Sequence, residues 1–174
     1  MKKAVVFYSS EGNCAFVAEQ IAAQMGADLL QLHTRDDKKR SRVGRFFAAC
    51  AMVFIQRRPA LKPFAFEPSA YDLIVIGAPV WAYSPAPPIQ TFLSQAGIAG
   101  KKIALFVSHA GGGGRALEKF GIMLPGNEII AQMDFANPIS NYESAKRQIA
   151  EWVRTIAGHG APRPAGALPL PPKS

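Results

Sequence analysis

Residues 9–14 read Ser9, Ser10, Glu11, Gly12, Asn13, Cys14, a small polar cluster wedged between two apolar segments. Two hydroxyls, an amide and a glycine that lets the backbone turn its N–H groups inward are the residue types that hold a phosphate at a helix N-terminus. A second cluster, Ala78 to Pro88 (APVWAYSPAPP), is stiffened by prolines and displays Trp81 and Tyr83. Flat aromatic faces on a rigid segment suit a planar heterocycle. A third, Ser108 to Gly114 (SHAGGGG), carries little side-chain bulk, so its backbone amides and carbonyls can approach a ligand's polar edge closely. Taken singly, each has a plainer reading as a helix cap, a packing pair of aromatics or a loose connection. Their weight comes from recurring after three strand-like runs.

Those runs and the segments between them define the scaffold. Ala4–Tyr8 is a short Val- and aromatic-rich strand, followed by a helical stripe at Phe16, Val17, Ile21 and Met25 that stops at Gly26. Asp28–Leu32 reads as a second strand. Tyr71–Gly77 and Lys101–Ser108 are continuous apolar runs of the kind buried on both faces of a parallel sheet. Pro87–Gln95 and Arg115–Met123 read as helices, Glu128–Phe135 as a weaker fifth strand, and Tyr142–Ala157 as a closing amphipathic helix. Five strands alternating with helices predict a three-layer α/β domain over residues 1–157, with a parallel sheet whose ligand loops lie at the strands' carboxyl ends. Residues 158–174 contain five prolines and no periodicity, and read as a disordered tail.

The chain of 174 residues suits one domain with a core on each side of a sheet. No apolar run approaches the roughly 20 residues of a membrane span, and residues 1–8 lack the features of a secretory signal, so a cytoplasmic protein is expected. Cys14 and Cys50, far apart and without CxxC spacing, fit a reduced compartment, and the three histidines offer no zinc spacing. No Ser-His-Asp or paired-carboxylate arrangement points to hydrolysis.

The net charge of +8 is concentrated in one place. Nine basic residues between Arg35 and Lys62 face only Asp36 and Asp37, a local surplus of +7. Within this excursion, residues 35–66, Val43, Phe46, Phe47, Cys50, Val53 and Phe54 fall at helical spacing. An apolar stripe with basic flanks can lie on an anionic membrane surface or dock an acidic redox partner, or simply pack on its own domain with solvated charges. The aromatics are not interleaved with the basic residues, so nucleic acid is not expected.

The chain resembles the flavodoxins, particularly short flavodoxin-like proteins with a long excursion before the third strand. The resemblance runs over most of residues 3–155 and rests on FYSSEGNCAFVAE, VIGAPVWAYSPAPPIQTFL and FVSHAGGGGRALEKF with LPGNEII after it. It implies a five-stranded sheet in the order 2-1-3-4-5, noncovalent FMN and electron transfer between redox partners. Carried over residue by residue, Ser9, Ser10, Gly12, Asn13 and Cys14 would surround the phosphate, with Glu11 among them. Ala78, Pro79, Val80, Trp81, Ala82 and Tyr83 would flank the isoalloxazine. Ser108, His109, Ala110, Gly111, Gly112 and Gly113 would line its pyrimidine edge, where a protonated His109 would favour an anionic reduced ring.

One departure matters. The family pattern is Ser/Thr-x-Thr-Gly-x-Thr, and here Glu11 and Cys14 replace two hydroxyl residues. Each lost hydrogen bond costs on the order of 1 kcal/mol, and a carboxylate near a phosphate adds repulsion unless it points to solvent. The expectation is weakened but real FMN binding, because backbone amides supply most of the phosphate contacts. Two alternatives stand beside electron transfer: an NAD(P)H-dependent quinone or FMN reductase on the same scaffold, and a flavin-free binding module with Glu11 filling the phosphate site.

Overall fold

The computed structural model describes residues 1–35 and 58–160. The apolar stripe at 43–54 and most of the basic excursion lie outside the described residues, as does the chain beyond 160. In order, the elements are β1 (Lys3–Tyr8), α1 (Asn13–Met25), β2 (Asp28–Leu32), a 3₁₀ turn (Pro68–Ala70), β3 (Leu73–Trp81), β4 (Ser84–Pro85), α2 (Pro87–Ala96), β5 (Lys102–His109), α3 (Ala116–Ile122), β6 (Glu128–Ala136) and α4 (Tyr142–Gly160).

Five strands pair in parallel in the order β2-β1-β3-β5-β6, which is the predicted 2-1-3-4-5 order once the two-residue β4 is set aside. Alternation along each strand divides the core. Val5 and Phe7, with Val75, Ala104 and Phe106, pack under α1 and α4, whereas Val6 and Tyr8, with Ile74, Ile76, Leu105 and Val107, pack under α2 and α3. Both faces being covered explains why the central strands read as unbroken apolar runs. Local punctuation agrees: Gly26 and Gly97 end α1 and α2 in left-handed conformation, and Pro87 opens α2.

The structure differs from the expected elements in two places. Residues 78–81, read as part of a loop, continue β3 to Trp81, which then turns back through Ala82 and Tyr83 into β4, pairing Trp81 with Ser84 and Val80 with Pro85. The prolines suggested a loop, but Pro85 lies on a strand only two residues long, where a missing N–H costs little. At the C-terminus, residues 158–160, assigned to the tail, complete α4. The Lys102 ammonium donates to the His159 carbonyl at 3.0 Å, satisfying one of the helix's terminal acceptors.

Candidate functional site

The carboxyl ends of β1, β3 and β5 stand side by side, since Phe7 pairs with Gly77 and Pro79 with Ser108. The segments that leave them therefore emerge at one end of the sheet. They are also tied to one another by side chains.

The first segment wraps the start of α1. Gly12 takes φ 91°, a left-handed conformation open to glycine, and its N–H donates to Ser9 Oγ at 3.1 Å. Its carbonyl accepts the first helical bond, from Phe16 N–H at 2.9 Å. The N–H groups of Asn13, Cys14 and Ala15 thus have no carbonyl of their own helix to bond. With the hydroxyls of Ser9 and Ser10 and the amide nitrogen of Asn13, they form a donor set, which is what a fully deprotonated phosphate requires. Glu11 is exposed and makes no hydrogen bond or ion pair among the described residues, so its carboxylate does not fill this donor set. Asn13 Oδ1 is engaged by Ile139 N–H at 3.3 Å, which brings the loop after β6 onto this segment.

Cys14 points the other way. Its side chain is fully buried, with Sγ 2.9 Å from Ser108 Oγ, and desolvation pushes the thiol up to about 12. Only its backbone N–H remains to a ligand. Ser108 and Ala78 are likewise buried, and support the surface rather than form it.

The second segment is the β3–β4 hairpin. Ala82 and Tyr83 take φ values of 46° and 58°, the positive-φ backbone of tight two-residue hairpins that usually carry Asn or Gly. Holding two ordinary residues there costs on the order of 1 kcal/mol each. The turn separates the two aromatics. Trp81 is half-buried, packed on the core and edge-on to Tyr8 with ring centroids 5.9 Å apart at 89°. Tyr83 is 68% exposed and lies over Gly114, where a Cβ would stand 2.8 Å from its ring. The hairpin and the glycine segment are thus in contact, and Tyr83 is the aromatic with a face to offer. Pro79 and Val80 are half-buried along the rising strand.

The third segment, after β5, is braced by His109 together with Asp134 and Asn137, two residues that the sequence reading did not single out. His109 Nδ1 accepts the Gly112 N–H at 2.9 Å, and its Nε2 lies 3.0 Å from Asp134 Oδ2 on β6. Asn137, at φ 43°, donates its backbone N–H to the His109 carbonyl and its side-chain amide to the Ala110 carbonyl. Ala110, Gly111 and Gly112 are exposed, and Gly113 is half-buried against the His109 ring. An Asn-Pro pair such as 137–138 is a turn signal, whereas nothing in the local sequence ties Asp134 to His109 across the sheet.

Two clefts open elsewhere. One of about 670 Å³ is lined by Met1, Asp72, Lys101 and Glu128 toward the amino ends of the strands, and one of about 390 Å³ lies between β6 and α4. Neither contains the three segments.

An α/β sheet of this order, with an uncapped helix start, an exposed aromatic hairpin and a glycine segment at one end, defines a flavodoxin-like protein. A flavodoxin family model matches residues 2–156, and the chain belongs to that family. Among solved structures it is similar to a flavoprotein from Lactobacillus acidophilus NCFM in complex with FMN (23% identity, 82% of this chain and 98% of that one, TM-score 0.68). The apo form of the Lactobacillus acidophilus NCFM flavoprotein (24%, 81% and 96%, 0.62) and oxidised flavodoxin 2 from Bacillus cereus (18%, 91% and 99%, 0.59) are also similar. None of the curated proteins matches the sequence. Among the described residues, no helix is long and apolar enough to cross a membrane.

Proposed function

We propose that this chain binds FMN noncovalently and carries electrons between redox partners. The observation behind this reading is the mutual contact of the three segments: Cys14 against Ser108, Tyr83 over Gly114, and Tyr8 against Trp81. A donor set for an anionic tail, an aromatic face and a pliant polar backbone thereby share one end of the sheet, the requirements of a flat ring with a phosphate. The ring, when bound, supplies the electron-accepting chemistry, and the protein's part is to hold it and bias its charge. Tyr83 would cover a face, and the backbone of residues 110–113 would meet the pyrimidine edge.

The exposed, unengaged Glu11 favours this reading over the flavin-free module, which needs that carboxylate in the phosphate site. The basic segment between Arg35 and Lys62 belongs to the proposal as a docking surface for an acidic redox partner. Gel filtration after incubation with FMN tests the cofactor: yellow protein is expected, and colourless protein with free flavin contradicts it. Steady NADPH oxidation with a quinone would replace the carrier by a reductase; a single turnover without it supports the carrier.

A further inference from the structure

The glycine segment after β5 is closed by its own histidine. The His109 side chain is 8% exposed, with Nδ1 accepting the Gly112 N–H at 2.9 Å and Nε2 3.0 Å from Asp134 Oδ2. A ring nitrogen that accepts an amide hydrogen carries no proton, and one that bonds a carboxylate carries one. The two contacts together therefore fix the neutral Nε2–H tautomer.

We propose that the His109–Asp134 pair is a positioning latch for residues 110–113, closed while His109 is neutral and released when its ring takes a second proton. The step is a single protonation from solvent at Nδ1. It turns an acceptor into a donor facing the Gly112 N–H, and two donors cannot share a bond at that separation. The amide must then leave, and Gly112, at φ 108°, has the freedom to turn. Asp134 keeps its bond to Nε2–H in both states, so the ring stays while the loop moves. Asn137, bonded to the His109 and Ala110 carbonyls, anchors the start of the segment, which confines the motion to Gly111–Gly113.

The surroundings leave this proton to His109. From β6, Asp134 is the charged group against the ring. The loop after β6, Asn137–Asn141, brings no titratable side chain. The β3–β4 hairpin brings the Tyr83 phenol over Gly114, and Arg115 and Glu118, next along the chain, pair with each other at 2.6 Å.

The consequence for a ligand rests on the FMN reading above: a loop held ready costs less order to occupy, so oxidised FMN binds about fivefold more weakly once the latch opens. The latch itself needs no flavin, and its test uses none. In ¹⁵N-labelled protein titrated with acid, the Gly112 amide proton should move upfield in step with the His109 ring nitrogens. In His109→Ala it should sit at the released position at every pH. A Gly112 amide that stays fixed while His109 titrates in the wild type overturns the latch, even if the variant does not fold. A second titration follows FMN affinity against pH: both proteins lose affinity as the FMN phosphate takes its second proton at about pH 6, and across the His109 transition the wild type is expected to lose about fivefold more than His109→Ala. Equal pH dependence in both proteins would break the link between latch and ligand. FMN that binds at no pH counts against the cofactor reading, and the amide titration then still decides the latch.

Discussion

Cys14 Sγ lies 2.9 Å from Ser108 Oγ, joining the first turn of α1 to the end of β5 beneath the candidate phosphate segment. The contact keeps a family hydroxyl position apolar in character and turns it into a strut. Burial raises the thiol from 9.0 to about 12 in the folded chain, so above pH 9 the unfolded chain gives up this proton first. Its contribution to stability is therefore intact below pH 9 and is lost as pH rises toward 12, at up to about 1.4 kcal/mol per pH unit. Urea denaturation from pH 8 to 11 should give a steeper alkaline decline for the wild type than for Cys14→Ala. Thiol reagents should label Cys14 only in denaturant.

The hairpin at Ala82 and Tyr83 places strain beside an exposed aromatic face, and its two roles can be separated. Replacing the pair by Asn-Gly supplies residues suited to positive φ and should raise stability by about 1 kcal/mol. The same change removes the Tyr83 ring, and FMN affinity should fall about tenfold, since stacking on an aromatic face contributes about 0.5–1.5 kcal/mol beyond its buried area. Thermal denaturation and flavin fluorescence quenching measure the two effects; a gain in both would show that Tyr83 does not meet the ring.

Gly77 sits on β3 directly opposite Phe106 on β5, and a methyl group on it would land on the Phe106 ring. Phe106 is in turn wedged against Phe135 and Trp152. Gly77→Ala should therefore destabilise the fold by about 1–3 kcal/mol through overpacking. The combined change with Phe106→Leu should recover part of that loss in denaturant melts.

Glu11 faces solvent, yet stands one residue before the glycine that starts α1. Its charge opposes a phosphate through water by about 1 kcal/mol, so Glu11→Thr should tighten FMN binding roughly five- to tenfold at low salt. The gap between the two proteins should narrow as ionic strength rises, because salt screens the repulsion. Fluorescence titrations at two salt concentrations would measure it, and unchanged affinity in Glu11→Thr would place the phosphate elsewhere.

Much of the scaffold was legible because burial on both faces writes itself into strands such as 73–77 and 103–107 as unbroken apolar runs. Helix ends were legible where Gly26 and Pro87 impose a backbone requirement. The hairpin was not, since Ala82 and Tyr83 carry none of the usual turn chemistry, and its geometry comes from packing on Gly114 and Tyr8. The separation of Trp81 from Tyr83 followed from that missed turn. Asp134 and Asn137 escaped notice for a different reason: their partners lie across the sheet, and no spacing along the chain links position 134 to 109. The extension of α4 to Gly160 ran against two glycines that usually end helices, and the Lys102 bond to His159 helps hold it.

A ¹⁵N–¹H spectrum recorded during FMN titration tests the three-segment site most directly. Saturable shifts are predicted for the amides of Asn13, Cys14 and Ala15, of Ala82 and Tyr83, and of Gly111 and Gly112, all with one dissociation constant. Shifts confined to the cleft around Met1 and Lys101, or a spectrum unchanged by excess FMN, would contradict it.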